Sequence, residues 1–262
     1  MSNPNAPTTA RTSAPPELST EGLVLLYGST PNGWKCTYAL EILKQAGLIP
    51  GYTVCEVYLQ TDEHLRLENP LQTAKMPALI DNRPDAPPVH VWESASILRY
   101  LERVYDTQKL LGFQDADLQT EMDNWIFWTQ GGLGPMQGQL NHFYRYTDVK
   151  VDYAEKRYRD EVDRLYKVLD AHLAGRQYLV GDKLSYADLT AEPWVRCAFW
   201  AGMSLSPYPN VEAWHDRIEQ TPVILDALKV PSQDLVTRIK NDPELEARIT
   251  AAMKKRKEDA QQ

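Results

Sequence analysis

The first sustained hydrophobic stretch is Leu23-Val24-Leu25-Leu26-Tyr27, an apolar run without alternation, which predicts a strand covered on both faces. It stops at Gly28. Ser29-Thr30-Pro31-Asn32-Gly33 is turn chemistry, and from Trp34 to Ala46 the apolar positions Trp34, Tyr38, Ile42 and Leu43 follow helical spacing until Gly47 ends the helix. Tyr52 to Leu59 has the β-branched and aromatic content of a second strand. After an irregular stretch around Glu63 to Asn69 come two short strands, one entered through Pro77 and one at Val89-His90-Val91-Trp92, with Pro87-Pro88 between them. A helix follows from Glu93-Ser94. The strand-helix-strand opening implies a parallel pair with a right-handed crossover, and the tight link between the last two strands implies an antiparallel hairpin.

Beyond Asp117 the strand signal disappears. Glu121 to Thr129 is an aromatic-rich helical segment, and Gly131-Gly132-Leu133-Gly134-Pro135-Met136 predicts a helix break with room for close backbone approach. Tyr153 to Leu173 carries a stripe of Tyr158, Val162, Leu165, Tyr166 and Leu169. Ser185 and Asp188 have the spacing of a capping box, with Leu184 and Leu189 at the staple positions. Tyr208-Pro209-Asn210 starts a further helix to about Gln220, and Thr221-Pro222 starts a short last one. The chain divides into a disordered tail (1–21), an α/β domain (22–106), a polar linker (107–116), an all-α helical domain (117–230) and a charged C-terminal extension (231–262).

A net charge of −8, with no Lys/Arg stripe, argues against a nucleic-acid partner. Cys36, Cys55 and Cys197 form no C-x-x-C and no metal-ligand spacing, and neither His90 nor His142 has a spaced partner, so no metal is expected. The odd cysteine count fits a reducing compartment. No run of eighteen apolar residues and no basic-then-apolar leader is present, so the expectation is a cytoplasmic protein with no membrane partner.

Two places carry candidate chemistry. At Glu93-Ser94 a strand ends and a helix begins, so the Ser94 hydroxyl, the first backbone N–H groups and the positive end of the helix dipole point the same way, a seat for a carboxylate; a plain N-cap is the competing reading. A cis Met76-Pro77 bond would turn the Met76 backbone outward toward an extended ligand, whereas a trans proline would simply mark a strand edge. The second place is the loop after the first strand, at the carboxyl end of a strand, where open α/β sheets bind ligands. A thiolate there gains from the helix dipole and from the Thr30 hydroxyl, the Asn32 amide or backbone N–H groups. Lowering a thiol pKa from about 8.5 by one unit raises its thiolate fraction at pH 7 from about 3% to about 24%. Cys36 falls inside the helix and reads as a packed thiol.

The order of elements, Lys75-Met76-Pro77 followed by Trp92-Glu93-Ser94, and Gly181-Asp182-Lys183-Leu184-Ser185-Tyr186-Ala187-Asp188 together resemble cytosolic glutathione transferases over about residues 23 to 228. Thr30-Pro31-Asn32-Gly33 with Gly131 to Met136 and Gly138-Gln139 narrows the resemblance to the bacterial nu class and the fungal proteins similar to the yeast nitrogen-regulator prion. The resemblance implies a thioredoxin-like domain followed by an all-helical domain, glutathione as substrate or cosubstrate, and a homodimer. It implies that Glu93 and Ser94 hold the γ-glutamyl end of glutathione, that the Met76 backbone beside Pro77 pairs with the cysteinyl part, and that Lys75 lies near the glycyl carboxylate. Thr30 and Asn32 would face the sulfur as the catalytic pair. Trp34, Trp128 and Phe143 are candidates for a second-substrate pocket, against a core role for each as a helical aromatic. The activity implied is thiol transfer to an electrophile or reduction of a disulfide; the alternatives are a glutathione-dependent isomerase or tailoring enzyme of a natural-product pathway and a non-enzymatic regulator that keeps the fold.

Overall fold

A computed structural model describes residues 15–57, 75–242 and 244–251. The apolar opening run forms β1 (Gly22–Tyr27), followed by α1 (Pro31–Gln45) and β2 (Tyr52–Glu56). Then come β3 (Ala78–Asn82), β4 (Val89–Trp92) and α2 (Ser94–Val104). The sheet order is β2-β1-β3-β4, with β1 parallel to β2 and the other pairs antiparallel. This is the crossover and hairpin arrangement expected from the sequence. The irregular stretch around Glu63 to Asn69 lies outside the described residues.

The helical part is built from α3 (Ala116–Trp128), α4 (Gly134–Asn141), α5 (Asp152–Leu173), α6 (Tyr186–Arg196), α7 (Pro209–Glu219), α8 (Pro222–Ala227) and α9 (Leu235–Asn241). Residues 244–251 form one more helix, α10. Among the described residues no helix is long and apolar enough to cross a membrane. The two layers share one core. Trp34, Tyr38 and Leu40 of α1 belong to the same buried cluster as Tyr186, Leu189 and Val195 of α6.

Several local signals act as their chemistry dictates. The Asp188 carboxylate accepts from Ser185 N–H (2.9 Å) and Ser185 O–H (2.8 Å), while its other oxygen accepts from Leu179 N–H and Trp214 Nε1–H, both at 2.9 Å. This buried carboxylate therefore ties the start of α6 to α7 as well as capping it.

Four expectations change. The glycine-rich segment does not break the helix: Thr129–Leu133 is a π-helical turn joining α3 to α4, and His142–Tyr146 is a second one. Glycine is tolerated there because its neighbour needs the space. A Cβ on Gly134 would lie 3.0 Å from Trp194 Nε1. The stretch read as a polar linker is pinned rather than free, because Asp106 accepts from the N–H groups of Leu110 (2.6 Å), Leu111 (2.9 Å) and Gly112 (3.1 Å) while Leu111 enters the core. Part of the N-terminal segment is docked: Pro16–Ser19 is a 3-10 turn, and Asn82 donates to the carbonyls of Leu18 (2.9 Å) and Thr20 (2.7 Å). The start of the C-terminal extension is also integrated, with Leu235, Val236 and Ile239 of α9 buried.

Candidate functional site

The sheet register brings the candidate residues to one edge. Ala78, the first residue of β3, is paired with Leu26 near the end of β1 and with Trp92 at the end of β4. The segments just beyond these residues, Thr30 to Gly33, Lys75 to Pro77 and Glu93-Ser94, therefore converge. The N-termini of α1 and α2 meet there, and both direct partial positive charge and free N–H groups toward the same space.

Helix α1 starts at Pro31, earlier than the spacing of Trp34 predicts. Thr30 is its N-cap, with Oγ1 accepting from Gly33 N–H at 3.2 Å, and Pro31 occupies the position where a missing N–H costs nothing. Asn32 is thus in the first helical turn rather than in a loop. It is half-buried, and among the described residues its side-chain amide makes no hydrogen bond. Glycine at position 33 lets this turn seat directly on the end of β1: a Cβ there would lie 2.2 Å from the Gly28 carbonyl oxygen. Tyr27 is buried in β1, and burial raises its phenol above the usual range, which suits it poorly to activating a thiol. Cys36 is fully enclosed within α1, its Sγ 3.9 Å from the Asn32 carbonyl oxygen. Burial pushes its pKa up to about 12, against the pull of the Lys35 charge, so this thiol stays protonated.

The Met76-Pro77 bond is cis, the isomer that the sequence left open. Met76 is half-buried and precedes the paired residues of β3, while Lys75 beside it is exposed. Glu93 is exposed and adopts φ 68 and ψ 122, in the left-handed half of backbone space that a residue with a Cβ occupies at a cost of about 1–3 kcal/mol. Ser94, the first residue of α2, is buried. A strained exposed carboxylate followed by a buried helix-terminal hydroxyl makes this junction the candidate ligand clamp.

Sequence reasoning missed two neighbours of Ser94. Lys35 is fully buried, and its Nζ donates to Gln130 Oε1 at 2.5 Å and to Ser94 Oγ at 3.4 Å. Gln130, in the π-helical turn of the other domain, donates through Nε2 to the same Ser94 Oγ at 3.4 Å. Burial lowers the Lys35 pKa to about 7, although the charge of Glu93 acts in the opposite direction. The signal available in the sequence was a lone cation inside an otherwise uncharged run from Trp34 to Leu40.

Of the three aromatic pocket candidates, Trp34 is corrected: it is fully buried in the shared core, with the Arg196 guanidinium 5.1 Å from its ring centroid, and lines no open pocket. Trp128 is half-buried edge-on to Trp125 at 5.1 Å, and Phe143 is half-buried and stacked on Tyr158 at 5.6 Å.

Residues 140–222 match the family model described as the glutathione S-transferase C-terminal domain. The chain is 35% identical over 208 residues to the disulfide-bond oxidoreductase YfcG of Escherichia coli (strain K12), covering 78% of this chain and 93% of that protein. It is 30% identical over 252 residues to the transcriptional regulator URE2 of Saccharomyces cerevisiae, covering 80% and 68% respectively. Among solved structures, a glutathione transferase from Burkholderia graminis with two glutathione molecules bound per subunit superposes with TM-score 0.72 at 33% identity, covering 80% of this chain and 89% of that one. A Pseudomonas putida glutathione transferase with one glutathione disulfide per subunit gives TM-score 0.72 at 30% identity, over 81% and 93%. On the shared fold and on relatives matched along most of their length, the chain belongs to the glutathione transferase superfamily.

Proposed function

We propose that the protein binds glutathione across the edge where β1, β3 and β4 meet and uses the glutathione thiol to reduce a disulfide. The observation that carries this reading is the convergence, set by the pairing of Leu26, Ala78 and Trp92, of a carboxylate clamp at Glu93-Ser94, an extended-backbone position at Met76 and a helix N-terminus at Thr30-Asn32. Glu93 takes the γ-glutamyl amino group, the Ser94 hydroxyl takes the adjacent carboxylate, and the Met76 backbone beside Pro77 pairs with the cysteinyl unit. Lys75 is exposed next to that backbone and takes the glycyl carboxylate.

The thiol then lies against the first turn of α1. Thr30 Oγ1 accepts from Gly33, which leaves its own hydrogen free to donate, and Asn32 has an amide to offer. No protein thiol competes, since Cys36 is enclosed and protonated. The thiolate of one glutathione attacks a sulfur of the disulfide, forms a mixed disulfide and releases one substrate thiolate. A second glutathione attacks the glutathione sulfur of that intermediate, giving glutathione disulfide and the second substrate thiolate. The two protons lost from glutathione end on the two released thiols. Disulfide reduction is favoured over conjugation by the oxidoreductase named among the relatives and by the neighbours holding two glutathiones or glutathione disulfide.

Retention on glutathione-agarose, followed by turnover against a small disulfide and against an aryl halide, tests the reading. Binding with disulfide reduction is the expected result; a chain that is not retained, or that turns over only the halide, would overturn the binding or the reaction respectively. Asn32→Ala is expected to raise the pKa of bound glutathione by about one unit. Because less of the thiol is then ionised at neutral pH, the rate falls several-fold at pH 7 and recovers as pH rises, with affinity nearly unchanged. A pH–rate profile superimposable on that of the parent would remove Asn32 from the chemistry.

The assembly proposed is a homodimer, supported by apolar side chains left open on α3 and at the end of β4, where Phe127 is 70% and Trp92 46% exposed. Light scattering at micromolar concentration should give twice the chain mass; the mass of one chain would exclude it.

A further inference from the structure

Ser94 carries a polar pair behind it that the proposed reaction does not use. Lys35 Nζ and Gln130 Nε2 both donate to Ser94 Oγ at 3.4 Å, from the two domains, and Lys35 Nζ is itself held by Gln130 Oε1 at 2.5 Å. A serine oxygen has two acceptor sites and one hydrogen. With both acceptor sites taken, the hydroxyl can only donate. A hydroxyl committed to donating offers nothing to an amide N–H and suits a carboxylate, either oxygen of which accepts it with charge assistance, whereas a primary amide presents it with one neutral carbonyl oxygen.

We infer that Lys35 and Gln130 are positioning residues that set the Ser94 hydroxyl as a hydrogen-bond donor and so select a carboxylate at the γ-glutamyl end of the ligand. This rests on the glutathione reading above and adds to it the origin of the site's preference for an anion. Lys35 contributes in a second way: its buried amine lies one side chain from the carboxylate, facing Ser94, Gln130, Cys36 and Glu93 among the described residues, and since burial lowers its pKa to about 7 an incoming negative charge favours its protonated form and meets a positive charge that water does not screen. The arrangement also makes the γ-glutamyl seat depend on both domains, because Gln130 comes from the helical part and Lys35 and Ser94 from the α/β part.

The test compares two ligands by titration calorimetry: glutathione and its analogue in which the γ-glutamyl α-carboxylate is the primary amide. The parent should prefer glutathione by about tenfold or more. Lys35→Met and Gln130→Leu should each lower glutathione affinity while leaving that of the amide nearly unchanged, so that the preference shrinks in both, most in the lysine variant. A structural role alone would weaken both ligands equally. Thermal melts establish that the variants are folded, and Gln130→Leu, which removes no charge and changes a half-buried side chain, keeps the test decisive if Lys35→Met does not fold. Folded variants with an unchanged preference overturn the positioning role and leave the glutathione reading standing; a parent that binds neither ligand overturns both.

Discussion

Replacing Asp234 by alanine is expected to lower the unfolding free energy by about 3–5 kcal/mol, the range for stranding one member of a buried ion pair. The Arg196 guanidinium is fully buried, with Nη1 2.6 Å from Asp234 Oδ1 and Nη2 3.3 Å from Oδ2, and it donates through Nη2 to Thr237 Oγ1 at 2.8 Å. Glu219 is a second anion in contact, 3.1 Å from Nε, and it is shared with Lys240 at 2.7 Å. Asp234 has a second task as the N-cap of α9, its Oδ1 accepting from the N–H groups of Val236 (2.8 Å) and Thr237 (3.2 Å). Its loss therefore leaves a buried charge undercompensated and uncaps the helix that carries Leu235, Val236 and Ile239 into the fold. A denaturant titration reads the effect as a lowered midpoint. A loss below about 1 kcal/mol would mean that Glu219 alone satisfies Arg196. Because Arg196 also lies over Trp34 in α1, loosening α9 should be felt close to the site.

At Glu93 the expectation is the reverse combination: a large effect on binding with almost none on stability. The side chain is exposed and in the proposed complex meets a charged ligand group, where a charge-assisted bond is worth about 1.5–3 kcal/mol, so Glu93→Ala should weaken glutathione binding about 10- to 100-fold. Glu93→Gly should lose the same affinity yet gain up to about 1 kcal/mol of stability, because glycine occupies φ 68 without the Cβ penalty. Ser94→Ala is less clean. It removes the acceptor shared by Lys35 and Gln130 and should cost about 1–3 kcal/mol of stability in addition to affinity. Calorimetry and melts on the three variants separate the terms. Unaltered affinity in Glu93→Ala would displace the γ-glutamyl seat from this junction.

The URE2 relatives keep open a use of the same fold in regulation, and the two uses differ in what they demand of this edge. A regulator that only docks a partner has no need to keep Glu93 in a costly backbone state. Strain retained at an exposed residue favours a ligand there.

What the sequence by itself determined was whatever depends on near neighbours along the chain. The elements of the strand-helix-strand opening and of the hairpin, the capping box at Ser185 and Asp188 and the Thr221-Pro222 helix start are each written in turn residues and a periodicity that are local, although the strands pair at longer range, as Leu23 does with Tyr52. The junction at Glu93-Ser94, where the proposed clamp lies, was legible for the same reason, because the strand stop and helix start are adjacent in the chain. Tertiary structure alone decided the rest. Lys35 reads locally as one more helical cation; it is buried because Ser94 and Gln130, 59 and 95 residues away, close over it and supply its hydrogen bonds. The glycines at 131 to 134 read as a break, but helix is retained because the Trp194 indole fills the space beside Gly134. The segment after Val230 read only as a charged extension because, beyond the local cap that Asp234 gives α9, the ion-pair partner of Asp234 is Arg196, 38 residues upstream. Trp34, adjacent in sequence to the turn proposed to hold the thiol, belongs to the core because the first turn of α1 faces the sheet edge while its next residues face α6 and α8. In each case the deciding term is desolvation, and a residue's exposure to water is set by what the far parts of the chain place against it.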